Sequence, residues 1–437
     1  MILVYTHKIT PRISYIFQTI FEDILQNTLS ITDDIDFYLA CKTPKIAYST
    51  QKIDEGLFFP STELLFDKGI KSLETIPVLQ QDKTVGIFPV EDSNTGFNFD
   101  VFAAAFYLIT RYEEYLPHQT DDHQRFLAHQ SFAARNNCLH LPMVNYWASR
   151  LLDVLQKSFP TTVFNPQKFE FLTTLDIDNA FAYKNKGFLR TTASLIKASV
   201  KPKMLKNRID VLCDKIADPY NTFDYQEEIH QQYQVKPIYF FLVGDYATYD
   251  KNIHYQNEAF RHLIKKIAIA NQVGLHPSYL SNKAPQQFSK EKKRLEEIVG
   301  QPIHKSRQHY LMLKFPITYE TLIKNNIKED FSLGYAETPG FRASIAATFY
   351  FYDLLNEEKT SLKITPFCWM EATAKYYQKL TPDQAIEELN ELIKTLQKVK
   401  GKMVTVWHNE SLSDKEEWKG WRKVYEHLLL EAKKGIN

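Results

Sequence analysis

From about residue 166 to the C-terminus, short apolar runs alternate with longer runs of helical period. Strands are predicted at residues 169–175, 238–243, 273–276, 364–370 and 403–407. Helices are predicted at residues 260–270, 319–325, 349–355 and 382–398. Such alternation builds a mostly parallel sheet, open or closed into a barrel, because each crossover helix returns the chain to the same strand direction. In both forms, functional side chains follow the carboxyl ends of the strands.

The first 165 residues have a less regular pattern that predicts a smaller α+β domain. Strands are predicted at residues 1–5, 37–39 and 46–48, and helices at residues 13–25, 99–115 and 147–155. The run FPTTVFNPQK at residues 159–168 is rich in turn formers and predicts a boundary. We therefore predict two domains, residues 1–165 and residues 166–437. The RYEEY run at residues 111–115 predicts a charged helix face or, alternatively, packing against the second domain.

The charge balance restricts the partners of such a chain. Lysine and arginine number 53 and aspartate and glutamate number 52, so the formal net charge is +1. Without a cationic excess, the sequence disfavours nucleic acid and anionic membranes as partners. Aromatic residues make up 14% of the chain, which indicates bulky packing or, alternatively, a groove lined for a sugar.

The N-terminal sequence and the cysteines indicate in which cellular compartment the protein is located. The four-residue apolar run before His7 is too short for the core of a signal peptide. The longest clean apolar run, Val101–Ile109, is far below the ~20 residues that span a bilayer. The four cysteines form no CxxC pair and fit a reducing environment. We expect a cytoplasmic protein without a membrane span.

Ionisable side chains follow two of the predicted strands in the second domain. Asp176 and Asp178 leave the first strand on one side of the chain, and carboxylates this close resist joint ionisation unless a cation lies between them. His276 ends the third strand. Each has a plainer explanation, namely a solvated turn for the aspartates and a hydrogen-bonded structural histidine for His276.

Two further segments add a guanidinium and two imidazoles. Arg307 and His309 stand two residues apart on an extended segment, and His408 follows the last predicted strand. Arginine suits the orientation of a carboxylate, and histidine suits metal ligation or proton donation. With the aspartates and His276, these residues predict metal-assisted hydrolysis with a zinc-like divalent ion. An ion pair and surface histidines are the alternative.

The order of these motifs resembles that of the polysaccharide deacetylase superfamily, the NodB-homology or carbohydrate esterase family 4 group. The matching segments are TLDID at 174–178, GLHPS at 274–278, SRQHYL at 306–311, NNIKEDFSLGYAETPGFR at 325–342 and VTVWHNE at 404–410. The resemblance covers about residues 166–437. With FDVFAAAFYLITRYEEYLP at residues 99–117, the details are most similar to an uncharacterised prokaryotic branch that has an extra N-terminal domain.

The resemblance implies a distorted (β/α) barrel of about seven strands and a metal-dependent hydrolase. The enzyme would remove an acetyl or similar acyl group from a polysaccharide or glycoconjugate, with metal-activated water as the nucleophile. The implied roles are Asp176 as base, Arg307 as its tether, His408 as acid, and Asp178 and His276 as metal ligands. An aspartate and an aromatic residue of segment 325–342 would support Arg307.

The chain departs from the family pattern at the metal ligands. The family's second metal histidine, four residues after the first, corresponds to Leu280. We take His309 as its replacement in a site for one divalent ion, most simply zinc. Ile177 separates two aspartates that are adjacent in the family, and Asn409 stands where the family often has aspartate.

Other functions remain open at this point. The missing histidine and the many aromatic residues are also typical of a carbohydrate-binding relative with impaired catalysis. A two-carboxylate glycosidase would pair Asp176 or Asp178 with Glu337 or Glu371. For the deacetylase interpretation, the candidate substrate contacts are Ser278, Arg342 and Trp407. The sequence indicates neither the sugar, the acyl group nor the oligomeric state.

Overall fold

A computed structural model describes residues 1–72, 79–81, 83–91 and 94–436. The protein is mixed α/β. The first four strands form a parallel sheet in the order β2-β1-β3-β4: β1 (Ile2–Tyr5), β2 (Leu29–Thr32), β3 (Lys45–Ser49) and β4 (Leu57–Pro60). The next two, β5 (Leu79–Gln81) and β6 (Thr84–Gly86), form a hairpin. Among the described residues, no helix combines the length and apolar character needed to cross a membrane.

The larger sheet curls into a half-barrel. Its strands are β7 (Glu170–Ile177), β8 (Ile238–Phe241), β9 (Gln272–Leu275), β10 (Lys305–Ser306), β11 (Glu329–Asp330), β12 (Phe349–Asp353), β13 (Glu358–Ile364), β14 (Trp369–Met370) and β15 (Lys402–His408). Their order is β12-β13-β11-β10-β9-β8-β7-β15-β14, and only β12 runs antiparallel to its neighbour. The α/β class is confirmed. The predicted distorted barrel of about seven strands is observed in part, as a curled half-barrel of nine strands in which β12 is an antiparallel edge strand.

Helices cover the strands of both sheets. They are α1 (Pro11–Phe17), α2 (Ile35–Ala40), α3 (Val101–Ile109), α4 (Phe132–Arg135), α5 (Met143–Ser158), α6 (Phe188–Ala198), α7 (Pro202–Leu212), α8 (Phe223–Tyr233), α9 (Glu258–Ala270), α10 (Pro285–Val299), α11 (Ile317–Lys324), α12 (Pro382–Lys398) and α13 (Trp421–Ile436). A buried hydrophobic cluster that includes Phe17 and Leu175 extends through both sheets.

Two short segments differ from their predicted state. Residues 37–39, predicted as a strand, lie in α2, because the carboxylate of Asp34 accepts the Phe37 N–H (2.9 Å) and caps the helix. Residues 349–355, predicted as a helix, begin with β12. There Phe349 and Phe351 are buried while the backbone pairs with β13, and aromatic residues suit such a half-buried strand.

The parallel strands bring the predicted site residues to one edge of the larger sheet. Asp176 in β7 lies opposite His408 at the end of β15. Strands β9 and β10 end directly before His276 and Arg307. Because parallel strands share the direction of their carboxyl ends, all four side chains emerge at the same rim.

A buried ion-pair network connects the N-terminal part of the chain to the larger sheet. Arg342 donates from Nη2 and Nε to the two carboxylate oxygens of Glu114 (2.6 and 2.9 Å). Arg111 donates to Glu114 (2.8 Å) and to the carbonyl oxygen of Arg342. All three residues are buried, so the RYEEY run packs against the rest of the protein and does not present a charged helix face to water. The division at residue 165 stays a prediction.

Replacing Glu114 by glutamine should destabilise the protein strongly. Burial acts against the charged form of Glu114, but Arg342 and Arg111 lower its pKa from 4.5 to about 2. The glutamine leaves the buried guanidinium of Arg342 without its counter-charge, while Arg111 keeps Glu113 (2.8 Å), and breaking a buried pair in this way costs about 3–5 kcal/mol of the free energy of unfolding. Chemical denaturation of both proteins measures the difference.

The matched control for this prediction is Glu55→Gln, whose partner Lys52 lies at the surface and whose loss should cost less than about 1 kcal/mol. Because the pKa of Glu114 is lowered on folding, its contribution is fully present above pH 4.5 and is lost as the pH falls toward 2. Equal losses for the two variants would contradict the prediction.

Candidate metal centre

Three side chains converge at the carboxyl edge of the larger sheet. Asp178 follows β7, His276 follows β9 and His309 lies in the turn after β10. One ligand atom from each lies within 4.8 Å of the others. Nε2 of His276 is 3.1 Å from Oδ1 of Asp178, and Nε2 of His309 is 3.4 Å from Oδ2 of the same carboxylate. The arrangement is a possible site for a metal ion.

Hydrogen bonds on the far side of each imidazole determine which nitrogen faces the centre. Nδ1 of His276 is 2.6 Å from the carbonyl oxygen of Arg307, and Nδ1 of His309 is 3.0 Å from Oδ1 of Asp250. A carbonyl and a carboxylate only accept, so we assign the Nδ1 proton to both rings, and Nε2 of each neutral ring presents a lone pair. Imidazoles oriented in this way are typical of metal-binding histidines.

The electrostatics of the three residues fit a cation. Burial acts to raise the pKa of Asp178, but His309 and His276 hold it well below its ordinary value. Burial acts to lower the pKa of His309, but Asp178 and Asp250 raise it to about 9, so a metal ion at Nε2 would displace a proton from this ring. Oδ1 of Asp178 is buried without a hydrogen-bond partner among the described residues, and a metal ion would provide one. Two imidazoles and one carboxylate form a ligand set that zinc uses with an open fourth position.

Leu280 stands at the position of the family's second metal histidine and cannot act as a metal ligand. Its apolar side chain is 47% exposed and has no ligand atom. The ring of His309 instead lies beside that of His276, with centroids 4.9 Å apart. This geometry supports His309 as the replacement, a role that stays a prediction.

Asp176 and Arg307 form a buried ion pair beside the three residues. Nη1 of Arg307 is 3.1 Å from Oδ1 of Asp176 and 2.6 Å from the Thr174 hydroxyl, and its Nε donates to the Phe331 carbonyl oxygen (3.1 Å). Oδ2 of Asp176 is 4.0 Å from Nε2 of His276. Arg307 therefore binds Oδ1 of Asp176, and Oδ2 lies close to the candidate metal site formed by Asp178, His276 and His309.

Segment 325–342 contacts Arg307 from the neighbouring strand β11, and the supporting role that the family resemblance implies stays a prediction. The buried carboxylate of Asp330 accepts hydrogen bonds from the hydroxyls of Ser306 (2.8 Å) and Ser332 (2.9 Å). Burial raises the pKa of Asp330 to about 6, although these hydrogen bonds act to lower it. The segment reaches Arg307 through Ser306, its chain neighbour, and through the Phe331 carbonyl.

His408 is held by Glu371. Nδ1 of His408 is 2.7 Å from Oε1 of Glu371, and the backbone N–H of His408 donates to the same oxygen (2.8 Å). Nε2 of His408 lies 3.9 Å from Oδ2 of Asp178. Burial acts to lower the pKa of His408, but Glu371 and Asp178 raise it well above its ordinary value. A protonated imidazole with Nε2–H near the centre is what a general acid requires.

The two glutamates considered as glycosidase partners of Asp176 or Asp178 are each hydrogen-bonded to other groups. Glu371 is bonded to His408, as described above. Glu337 accepts the backbone N–H of Ala128 (2.8 Å). These contacts give the glycosidase interpretation no support.

The side chains of the three candidate substrate contacts are all buried, and each contacts other residues of the protein. The Ser278 hydroxyl donates to Glu291 (2.6 Å), and the guanidinium of Arg342 is bonded to Glu114. The Trp407 ring is fully buried against Trp369 and Tyr425. These side chains offer no free surface to a sugar, and we do not propose them as contacts.

Sequence reasoning missed one partner of the site residues, Asp250, and considered another, Glu371, only as a glycosidase carboxylate. Asp250, which orients His309, lies in the loop after β8, where no periodicity or strand end marks it. Glu371, which holds His408, directly follows β14. The rule that functional side chains follow strand ends identifies Glu371 but leaves its role open.

Comparisons with known proteins give a coarse similarity. The model of a family of unknown function, DUF7033, matches residues 2–160. No curated protein matches the sequence. Among solved structures, the chain is similar to a Mycobacterium smegmatis protein assigned as a polysaccharide deacetylase (TM-score 0.40, 14% identity, 61% of this chain and 84% of that chain).

Two further solved structures are similar over the same share of the chain. One is the polysaccharide deacetylase Bc1974 from Bacillus cereus (TM-score 0.29, 11% identity, 62% of this chain and 87% of that chain). The other is a mutant of BA3943, a pseudoenzyme of the CE4 family (TM-score 0.27, 12% identity, 60% of this chain and 64% of that chain). At these TM-scores the similarities carry no residue roles to this chain.

Proposed function

We propose that this protein is a metal-dependent hydrolase that removes an acetyl or similar acyl group from a polysaccharide or glycoconjugate. The observation that carries the proposal is the convergence of Asp178, His276 and His309, with a carboxylate and an imidazole beside them. The order of the sequence motifs, which resembles that of polysaccharide deacetylases, supports the substrate class.

In the proposed reaction, the chain supplies a ligand set, a base and an acid. A zinc-like ion held by Asp178, His276 and His309 would polarise the acyl carbonyl and lower the pKa of water. Asp176, oriented by Arg307, takes a proton from the attacking water through Oδ2. His408 then donates its Nε2 proton to the departing amine or alcohol.

Acetate release from N-acetylated and O-acetylated oligosaccharides tests this proposal. We expect the purified protein to release acetate from at least one class, to lose activity after removal of divalent ions by a chelator, and to regain it with zinc. Oligosaccharide binding without acetate release by the zinc-loaded protein would contradict the hydrolase and favour the carbohydrate-binding alternative.

Glu371→Gln should move the alkaline limb of the pH–rate profile to lower pH. His408 must be protonated to act as the acid, so the rate falls as the pH rises through the pKa of His408. Glu371 raises that pKa, and glutamine keeps an acceptor for Nδ1–H while removing the charge. The variant therefore loses its protonated acid at a lower pH than the wild type.

The measurement is kcat/KM against pH on the best oligosaccharide substrate. Glu388→Gln is the matched control, because Glu388 is bonded to the Trp369 indole (2.8 Å) and not to His408. An alkaline limb at the same pH in Glu371→Gln and the wild type would show that His408 is not the acid.

A further inference from the structure

Helices α6 and α7 form a hairpin with large apolar side chains directed into solvent. The exposed fractions are 80% for Phe188, 81% for Leu189, 74% for Ile196 and 79% for Val200. Leu189, Ala193 and Ile196 are spaced by four and three residues, which is the repeat of one face of α6, and Val200 follows in the turn before α7. These side chains form a continuous exposed stripe, and such a patch marks an interaction surface.

Lysines flank the apolar stripe. Residues 188–212, which span the hairpin, contain six lysine and arginine residues and one aspartate, Asp210, whereas the whole chain carries +1. The exposed lysines are Lys197, Lys201, Lys203 and Lys206, and none of them forms an ion pair within the described part of the chain. The chain-wide charge balance, which disfavours anionic membranes at the level of composition, therefore conceals a local cationic surface.

The other side of the hairpin holds it to the protein. Arg190 donates to the carbonyl oxygens of Asn252 (2.9 Å) and Lys251 (3.0 Å). Arg208 donates to the carbonyl oxygen of Ser194, which ties α7 to α6. The arginines thus fix the hairpin, and the lysines and the stripe are left for a partner.

We propose that this hairpin docks on an anionic lipid bilayer, with the apolar stripe among the headgroups and the four lysines against anionic phosphates. An apolar helix face flanked by lysines is typical of interfacial helices, and the long lysine stems reach from the apolar level to the headgroups. Protein–protein interfaces are instead depleted in lysine and enriched in arginine and aromatic residues. Helix α6 has 11 residues, which suits a position in the plane of the interface.

Flotation of the full-length protein with vesicles tests the docking. The vesicles are phosphatidylcholine mixed with phosphatidylglycerol, and pure phosphatidylcholine vesicles are the comparison. We expect the protein to float with the anionic vesicles, to stay largely unbound with the neutral ones, and to be released by high salt, because salt screens charges at a surface.

Two sets of variants separate the lysines from the stripe. Changing Lys197, Lys201, Lys203 and Lys206 to glutamine should weaken binding at least about 100-fold, since each lysine near an anionic surface contributes about five-fold. The same change at Lys324, Lys394, Lys423 and Lys434, which are exposed and paired elsewhere, alters the net charge equally and should leave binding unchanged.

For the stripe, Leu189→Ser combined with Ile196→Ser should weaken binding at least about 10-fold, because each side chain loses its apolar burial. Ile269→Ser, on the exposed side of α9, is the control and should bind as the wild type does. Thermal unfolding confirms that each variant is folded, and the exposed positions should leave the melting temperature unchanged.

Three results would overturn the proposal. One is the absence of wild-type flotation with anionic vesicles, and another is equal flotation of the wild type and both hairpin variants. The third is a concentration-dependent dimer in lipid-free sedimentation that Leu189→Ser with Ile196→Ser abolishes, because this would assign the stripe to a second copy of the chain.

Discussion

The Asp178→Asn variant is expected to lose its divalent ion and to fall at least about 10³-fold in turnover. Asparagine keeps the volume of the side chain but removes the charge that attracts the ion and both imidazoles. Changes at residues that only orient a ligand already cost about 10–100-fold in metal affinity, so loss of a charged ligand should cost at least about 100-fold. Several kcal/mol of lost transition-state stabilisation corresponds to about 10³ in rate.

The readouts are metal content by elemental analysis and acetate release. Asp383→Asn is the matched control, because this carboxylate is exposed and pairs with Lys423 at the surface. The control should keep both metal and activity. An Asp178→Asn protein with a full complement of metal would show that the ligand set is wrong.

The second large effect is expected for Asp176→Asn, which should keep its metal but lose at least about 10²-fold in turnover. Asparagine retains the size and hydrogen-bonding shape of the side chain but accepts no proton from water. The expected loss is the low end for removal of a general base. Because Asp176 lies beside the ligand set without belonging to it, metal content should stay near that of the wild type.

The same two measurements, metal content and acetate release, distinguish this variant from Asp178→Asn. His408→Ala should cost less on substrates with good leaving groups, because those need little protonation. If Asp176→Asn released acetate at the wild-type rate, the role of the base would be wrongly assigned. Asp178 would then be the next candidate.

Residues at the ends of apolar strands were the most predictable part of the protein. Asp176, His276 and His408 each follow or end a run of buried side chains whose strand character is visible locally. Parallel pairing then brings them to one rim without further information. The family resemblance added roles to these residues, but the meeting of their side chains follows from the strand order.

Features that depend on distant parts of the chain were harder to predict. The run at residues 349–352 is FYFY, which suits a helix or a strand, and pairing with β13 decides between them. Arg111 and Glu114 have the i,i+3 spacing of a local ion pair, but their burial depends on Arg342. Asp250 reaches His309 from a loop 59 residues away in sequence, which no local pattern indicates.

Anomalous diffraction at the zinc edge, from crystals of the zinc-loaded protein, tests the central claim most directly. The account predicts one strong peak about 2.0–2.2 Å from a carboxylate oxygen of Asp178 and from Nε2 of His276 and His309. No peak at these three side chains, or a zinc ion held by other residues, would contradict it.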